Sequence, residues 1–155
     1  MTDLPENINI REFAPGDRAM VEEFFAQMGG ESKAFFNRGD WNHQNAIKFF
    51  DGSADADTVY FLAELDGLML GYVFLWDLNR GVPWLGIAVR EEYKGRHLGR
   101  LLIEHASKYA QAAGKGGILL TTHVVNLRGQ GLYERMGFER LGTHTSGEVL
   151  YLKRF

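Results

Sequence analysis

Hydrophobic positions along the chain follow a regular order of alternating and clustered segments, from which strands and helices are predicted. Alternating or continuously apolar segments indicate strands at 7–13, 58–65, 68–78, 82–89, 118–125, 138–144 and 148–154. Helical spacing indicates a first helix, which Asp17 can cap and Gly29-Gly30 ends, and a second, which Asp40 can cap and which runs through Phe50. A third helix follows Gly99, and a short fourth, which Asn126 can cap, runs through Met136. Asp66-Gly67 favours a tight hairpin between two of the strands. We therefore expect an α/β (α+β mixed) fold, with a mixed sheet covered by helices.

The longest predicted helix follows a buried strand and a short basic loop that contains two glycines. The first amides of a helix have no partner within the helix and carry partial positive charge, so this place suits a phosphate group. A solvated basic loop that only caps an ordinary helix is the alternative. Gly114-Lys115-Gly116 does not form a nucleoside-triphosphate loop, because it lacks the hydroxyl residue and precedes a strand. The candidate phosphate-binding residues are Lys94, Gly95, Arg96, His97, Leu98, Gly99 and Arg100.

Composition restricts the possible functions further. The net charge of −3 and the pI of about 5.9 provide no overall attraction to nucleic acid or to an anionic membrane. The absence of cysteine excludes disulfides, thiolate nucleophiles and cysteine–metal sites, and the five histidines form no recognisable ligand pair, so no metal is expected. The polar N-terminus and the lack of a long apolar run favour one cytoplasmic domain over residues 1–155.

Two segments carry a resemblance to a known family. Residues 94–99 (KGRHLG) follow the strand-to-loop run 85–93 (LGIAVREEY), and residues 126–138 read NLRGQGLYERMGF. Together they resemble the GCN5-related N-acetyltransferase (GNAT) superfamily, whose coenzyme A loop is Arg or Gln, two residues, Gly, one residue, then Gly or Ala. Lys94 stands in place of the usual Arg or Gln, His97 in place of the first glycine, and Gly129 where a residue such as Ala is usual.

The resemblance implies a three-layer fold with a mostly antiparallel sheet of six to seven strands, splayed between strands 4 and 5. It implies acetyl-CoA as cosubstrate, with the pyrophosphate at residues 94–100 and the pantetheine arm in the gap between the splayed strands. The backbone of Ile87, Ala88 and Val89 would bind that arm, and one amide there would polarise the thioester carbonyl. Asn126 would bind the pantetheine, and Tyr133 would donate a proton to the departing sulfur.

A general base is harder to predict, because Pro83 and Leu85 offer no ionisable group on the strand before the loop. A histidine in an apolar strand is more often a core residue than a base, and a water chain or an amine of low pKa would make a base unnecessary. The candidates are His43, Glu64, His123 and His144. The acceptor site would be lined by Phe36, Trp41 and the Thr143–Gly147 loop, as the resemblance implies.

Two functional interpretations follow from the sequence. The first is an acetyl-CoA-dependent N-acetyltransferase that acetylates a primary amine of a small molecule or a protein. Transfer would be direct in a ternary complex, because no cysteine is present to form an acyl-enzyme. The second is a non-catalytic acyl-CoA-binding regulatory domain of the same fold. Either would be a monomer or a homodimer, and the fold does not select the acceptor.

Overall fold

A computed structural model describes residues 4–28 and 43–155, except for the side chains of residues 43 and 44. Short 3₁₀ turns at Pro15–Asp17 and Glu91–Tyr93 precede two of the helices. The helices are α1 (Arg18–Gln27), α2 (His43–Ile47), α3 (Leu98–Ala112) and α4 (Leu127–Arg135). The strands are β1 (Asn9–Glu12), β2 (Val59–Leu65), β3 (Leu68–Trp76), β4 (Trp84–Val89), β5 (Gly117–Thr122), β6 (Glu139–Thr143) and β7 (Val149–Arg154).

The strands form one seven-stranded sheet in the order β1-β2-β3-β4-β5-β7-β6. All neighbouring strands are antiparallel except β4 and β5, which are parallel. The hairpin predicted at Asp66-Gly67 is confirmed, since both residues have positive φ and Leu65 pairs with Leu68. The mixed, mostly antiparallel fold class expected from the sequence is therefore correct.

Helices cover both faces of this sheet, so the molecule has three layers. On one face, α1 and α2 pack on an aromatic cluster that includes Phe13, Tyr60, Tyr72 and Phe74. We call this the aromatic face. On the other face, α3 and α4 pack on an aliphatic cluster built around Leu102 and its neighbours, which we call the aliphatic face. Burial of these two clusters supplies the main free energy of folding.

On the aromatic face, the ring of Phe74 lies directly against the backbone of β4, which explains why residue 86 in the middle of that strand is a glycine. A Cβ atom on Gly86 would lie 2.2 Å from Cζ of Phe74, so no larger residue fits beneath that ring. Phe74 stacks on Trp76, and Trp76 in turn stacks on Trp84. The row of rings therefore extends along the sheet to β4.

The structure corrects three predictions about element ends. Asp17 precedes α1 but makes no side-chain cap; its carboxylate accepts hydrogen bonds from the Ala14 amide at 2.8 Å and from Arg11 at 2.7 Å. Within the described residues the second helix spans His43–Ile47, so it ends at Ile47 instead of Phe50. The fifth strand ends at Thr122, so the predicted strand residues 123–125 belong to a loop. Predictions for Gly29-Gly30, Phe36, Asp40 and Trp41 lie outside the described residues.

No helix in the two described ranges has both the length and the apolar character needed to cross a bilayer.

Candidate active site

The parallel strands β4 and β5 separate after their first residues. In the described part of the chain, Trp84 and Leu119 are the sole pair in register between them. At the amino-terminal ends of the two strands, the Gly116 amide donates to the Gly81 carbonyl at 2.8 Å and the Leu119 amide donates to the Pro83 carbonyl at 3.0 Å. The carboxyl halves of the two strands are not hydrogen-bonded to each other there. This opening, which we call the seam, confirms the predicted splay between strands 4 and 5.

The backbone groups of β4 alternate between the seam and β3. The Pro83 carbonyl points towards β5, whereas the Arg90 amide donates to Leu70 on β3. Because hydrogen-bonding groups of a strand alternate in direction, the N–H and C=O groups of Ile87 and Val89 point into the seam. The backbone groups of Ala88 point to β3 instead, opposite Tyr72. Of the three residues predicted to bind the acyl arm through their backbone, two therefore have the required direction.

The loop before α3 has the backbone geometry of an anion site. Gly95 and His97 both have positive φ, of 75° and 70°, and His97 is the residue that precedes the helix. The left-handed conformation expected only of a glycine is thus adopted by His97. Within the described part of the chain, no group accepts a hydrogen bond from the amides of Gly95 or of residues 97–100. Leu98 is fully buried, so it can contribute only its amide.

The start of α3 lies next to the seam. A Cβ atom on Gly99 would lie 3.0 Å from Cδ2 of Leu132 on α4 and 4.0 Å from Cδ1 of Ile87 on β4. The first turn of α3 is therefore packed between β4 and α4.

The basic side chains of the loop contact neighbouring residues. Nζ of Lys94 lies 2.9 Å from a carboxylate oxygen of Glu91, and Nε of Arg100 lies 3.0 Å from a carboxylate oxygen of Glu104. The guanidinium group of Arg96 lies 4.5 Å above the ring of Tyr93. These cations add local positive potential, but surface ion pairs of this kind are weak and rearrange at low cost. We infer that the amides define the anion site and the side chains support it.

Asn126 connects the end of β5 to the start of α4. Its Oδ1 accepts a hydrogen bond from the Gly129 amide at 3.2 Å, and its Nδ2 donates to Oγ1 of Thr122 at 3.0 Å. The predicted N-cap is thus confirmed. The side-chain NH₂ group of Asn126 carries two hydrogens, and the hydrogen bond to Thr122 uses one of them. Asn126 can therefore serve as a cap and donate to a ligand in the seam.

Tyr133 lies on α4 with its ring packed edge-on against Phe138 and tilted against Tyr151. The residue is 7% exposed, and its hydroxyl makes no hydrogen bond to the described residues. Burial raises the pKa of the Tyr133 phenol well above its ordinary value, and the nearby Tyr151 and the charge of Glu148 raise it further. The phenol is therefore a proton donor at neutral pH.

The structure places the candidate bases differently from the prediction. His123 is not on a strand; it lies in the loop after β5, where its Nδ1 accepts a hydrogen bond from the Val125 amide. Glu64 is two strands from β4 and accepts a hydrogen bond from Arg11 at 2.9 Å. His144 contacts the ring of Trp84 edge-on, and its Nδ1 lies 2.9 Å from Oγ of Ser146. The side chain of His43 lies outside the described residues.

A carboxylate at the carboxyl end of β5 is not predicted by any sequence pattern. Oγ1 of Thr121 donates to Oε1 of Glu148 at 3.0 Å, which places this half-buried acidic group beside the seam. The two residues come together only through the pairing of β5 with β7, in which Thr121 is opposite Leu150. No local sequence pattern marks this contact. Among the described residues, no group of three or more His, Asp or Glu side chains has the geometry to hold a metal ion.

Comparison with known proteins agrees with this geometry. The Acetyltransferase (GNAT) family model matches residues 19–138, which include the seam, the loop before α3 and Tyr133. The chain belongs to this family. The mostly antiparallel sheet that separates between strands 4 and 5 is the one that the resemblance to GNAT proteins implied.

Two curated relatives are similar to this GNAT chain over part of their length. A Bacillus subtilis protein that carries the name of a ribosomal protein bS18-alanine N-acetyltransferase is 30% identical over 80 residues, which is 52% of this chain and 53% of that protein. The mycothiol acetyltransferase of Streptomyces coelicolor is 27% identical over 142 residues, which is 87% of this chain and 44% of that protein. The chain therefore spans about half the length of these relatives.

A solved structure shows the same fold. The PaiA N-acetyltransferase from Thermoplasma acidophilum, solved in complex with coenzyme A, has a TM-score of 0.78 and 17% sequence identity to this chain. The match covers 96% of this chain and 99% of that chain.

Proposed function

We propose that this protein transfers an acetyl group from acetyl-CoA to a primary amine by direct transfer in a ternary complex. The observation that carries the proposal is the position of the unpaired amides of Gly95 and residues 97–100 next to the open seam. An anion site and an extended backbone site are contiguous there, which matches a molecule that carries a diphosphate and a long amide-containing arm.

The residues present fit coenzyme A. The amides at the start of α3 would bind the diphosphate, since they combine free donors with the positive end of the helix dipole. The backbone of Ile87 and Val89 would pair with the arm in the seam, much as an added strand pairs with a sheet edge. Asn126 would donate its second amide hydrogen to the same arm. Acetyl-CoA supplies the acyl group as a thioester.

Tyr133 and solvent water would together account for the proton balance of the transfer. A seam-facing amide of β4 would donate to the carbonyl oxygen and stabilise the negative charge that develops on it. As the bond from nitrogen to carbon forms and the bond from carbon to sulfur breaks, the sulfur gains one proton and the nitrogen loses one. Tyr133 would supply the proton to sulfur, because burial keeps its phenol protonated. The proton from nitrogen would pass through a water chain to solvent, and the phenolate of Tyr133 would regain a proton from solvent before the next turnover.

The acceptor class is part of the proposal. One curated relative is named for an alanine residue of a ribosomal protein and the other for mycothiol. These names support a primary amine on either a protein or a small molecule, in line with the two acceptor types expected from the sequence. They do not select one type, because functions differ widely within one fold.

Thiol release from acetyl-CoA, measured against a panel of primary amines, tests the proposal. The panel should include a polyamine, an amino sugar, a free amino acid and a peptide with N-terminal alanine. We expect amine-dependent thiol release with at least one of them and its loss in Tyr133→Phe. Tight binding of coenzyme A without amine-dependent release across the panel would instead favour the non-catalytic acyl-CoA-binding domain.

A further inference from the structure

Within the described ranges, packing contacts and not hydrogen bonds hold the side chain of Tyr133. Its hydroxyl makes no hydrogen bond to a described residue. The centroid of its ring lies 6.0 Å from that of Phe138, which it contacts edge-on, and 5.8 Å from that of Tyr151. Phe138 is fixed in turn, because its backbone amide donates to the Tyr133 carbonyl at 3.0 Å. The direction of the Tyr133 hydroxyl therefore depends on where these two rings lie.

Tyr151 is fixed by a carboxylate of α4. The residue is fully buried on β7, and its hydroxyl donates to Oε2 of Glu134 at 2.6 Å. Glu134 is an exposed residue that directly follows Tyr133 along the helix. A short hydrogen bond to a carboxylate is among the stronger polar contacts in proteins. This contact therefore ties β7 to the same turn of α4 that carries the proton donor.

Helix α4 depends on such contacts because it is intrinsically weak. It has nine residues, and two of them are glycines. Glycine is unfavourable in the interior of a helix and the helix is short, so tertiary contacts must hold α4 in place. At the amino end, the Asn126 cap and the hydrogen bond from Gln130 to the preceding loop do so. At the carboxyl end, the hydrogen bond between Tyr151 and Glu134 has this role.

We propose that Tyr151 and Glu134 are positioning residues for Tyr133, because their hydrogen bond fixes the ring against which Tyr133 packs and so directs its hydroxyl towards the thioester sulfur in the seam. The inference rests on the proposed function and adds two residues to that same site. Both act through Tyr133 and do not themselves contact the reacting atoms. A displacement of about 1 Å in a reacting group can cost about 100-fold in rate, so an indirect contact of this kind affects catalysis.

Steady-state kinetics with acetyl-CoA and an amine that supports turnover test the inference. Tyr151→Phe keeps the ring and removes the hydroxyl, and it should lower kcat by about tenfold or more without changing KM for acetyl-CoA. Glu134→Leu removes the acceptor of the same hydrogen bond but keeps a good helix former, and it should give the same loss. Glu134→Gln retains an oxygen that accepts the hydrogen bond, so it should keep most of the wild-type rate.

Action through Tyr133 also requires that the losses are not additive. In a protein that already carries Tyr133→Phe, the further change Tyr151→Phe should leave kcat where it was. A residue that only stabilises the fold would instead lower kcat by the same factor in both backgrounds. Tyr109→Phe is the matched control, because this tyrosine lies on α3 and contacts Phe61 of β2, on the other side of the seam from β7. It should leave kcat as in the wild type.

A measurement on the coenzyme A complex tests the same positioning without turnover. Aromatic NMR spectra, in which the Tyr133 signals are assigned from Tyr133→Phe, compare protein saturated with coenzyme A and protein saturated with desulfo-coenzyme A, which lacks the sulfur atom. The two complexes should differ at Tyr133 in the wild-type protein, in Glu134→Gln and in Tyr109→Phe. The difference should be lost or strongly reduced in Tyr151→Phe and Glu134→Leu.

The outcomes separate this inference from the proposed function. Failure of the wild-type protein to bind coenzyme A would overturn the proposed function. Binding without turnover on any amine would overturn its catalytic step, and the spectra alone would then decide the inference. If Tyr151→Phe and Glu134→Leu leave kcat and the Tyr133 signals as in the wild type, the inference is overturned and the coenzyme A site remains. Equal losses of kcat with and without the Tyr133 hydroxyl would also overturn it.

Discussion

Trp84 and Leu119 form the sole residue pair in register between β4 and β5 in the described part of the chain. Beyond this pair the strands diverge, so that the outward backbone groups of Ile87 and Val89 have no strand partner on that side. A sheet interior normally satisfies such groups. The separation therefore creates a binding edge inside the sheet.

Removal of the Tyr133 hydroxyl should affect the reaction and not the fold. We expect Tyr133→Phe to lower amine-dependent thiol release by about 10²- to 10⁴-fold, the usual contribution of a positioned general acid. The hydroxyl makes no hydrogen bond to a described residue, so no partner is left unsatisfied. Coenzyme A affinity and the melting temperature should stay close to those of the wild type. An unchanged rate would remove Tyr133 from the mechanism.

The pH dependence of the reaction follows from the direction of the same pKa shift. Burial raises the pKa of Tyr133 above the ordinary tyrosine value of about 10, so the phenol stays protonated throughout the neutral and mildly alkaline range. The rate constant kcat should therefore show no alkaline decline that depends on Tyr133 below about pH 10. A decline between pH 7 and pH 9 that disappears in Tyr133→Phe would contradict this assignment.

A carboxylate at the start of α3 should prevent coenzyme A binding. Gly99→Glu places negative charge beside the proposed diphosphate site, and we expect the affinity to fall by about 100-fold or more. The fold should survive, because the new Cβ meets only the flexible ends of two side chains, Cδ2 of Leu132 at 3.0 Å and Cδ1 of Ile87 at 4.0 Å. Gly16→Glu is the matched control, since a Cβ there meets nothing within 4 Å. Calorimetry that finds equal coenzyme A affinity in both variants would refute the site assignment.

Two glycines of α4 should respond in opposite ways to the same substitution. A Cβ on Gly129 would lie 2.5 Å from Nδ2 of Asn126 and would displace the cap, whereas a Cβ on Gly131 would lie 3.0 Å from the flexible end of Arg135. We expect Gly131→Ala to raise the free energy of unfolding by about 0.5–1 kcal/mol. Gly129→Ala should lower it relative to Gly131→Ala by about 1–2 kcal/mol.

The two variants Gly129→Ala and Gly131→Ala also test the role of Asn126 in coenzyme A binding. Gly129→Ala should weaken coenzyme A binding because it moves the Asn126 side chain, while Gly131→Ala should leave the affinity unchanged. Chemical denaturation gives the stabilities and calorimetry gives the affinities. If both variants were equally stable and bound coenzyme A equally well, the close contact between Gly129 and Asn126 would have no energetic consequence.

The folded protein should lose stability in alkaline solution. Burial is the largest cause of raised pKa values for the phenols of Tyr60, Tyr72, Tyr133 and Tyr151. Burial together with the hydrogen bond to Glu134 raises the pKa of Tyr151 to about 12. In the unfolded chain these phenols titrate near 10, so above that pH the unfolded state releases protons that the folded state retains. The free energy of unfolding should therefore fall from pH 9 to pH 11. Urea denaturation at the two values measures it, and a flat profile would contradict the burial of these phenols.

Local signals in the sequence were sufficient for most of the fold. Asp66-Gly67 specifies its hairpin because positive φ at both residues is a local property of the turn. The N-cap by Asn126 is likewise local, and so is the loop that leads into α3. The start of α3 and the order of the elements along the chain could therefore be predicted without tertiary information. The splay between strands 4 and 5 and the role of Tyr133 were implied by the resemblance.

The errors came from contacts between distant residues. The prediction extended β5 to Val125 because its β-branched residues continue, but Gln130 donates to the carbonyl groups of His123 and Val124 and holds them in a loop. His123 therefore lies outside β5 and is not a general base on that strand, as had been considered. Glu148 was missed for the same reason, since only the register between β5 and β7 places it beside Thr121.

The central claim is that the amides before and in the first turn of α3 bind a diphosphate while the seam holds the acyl arm. Amide chemical shifts recorded during titration with coenzyme A, and separately with pantetheine, test it most directly. We predict that coenzyme A shifts the amides of Gly95, residues 97–100, Ile87 and Val89 along one binding curve. Pantetheine, which has no diphosphate, should shift only the two β4 amides. Shifts confined to other parts of the chain, or an unchanged loop at saturation with coenzyme A, would contradict the account.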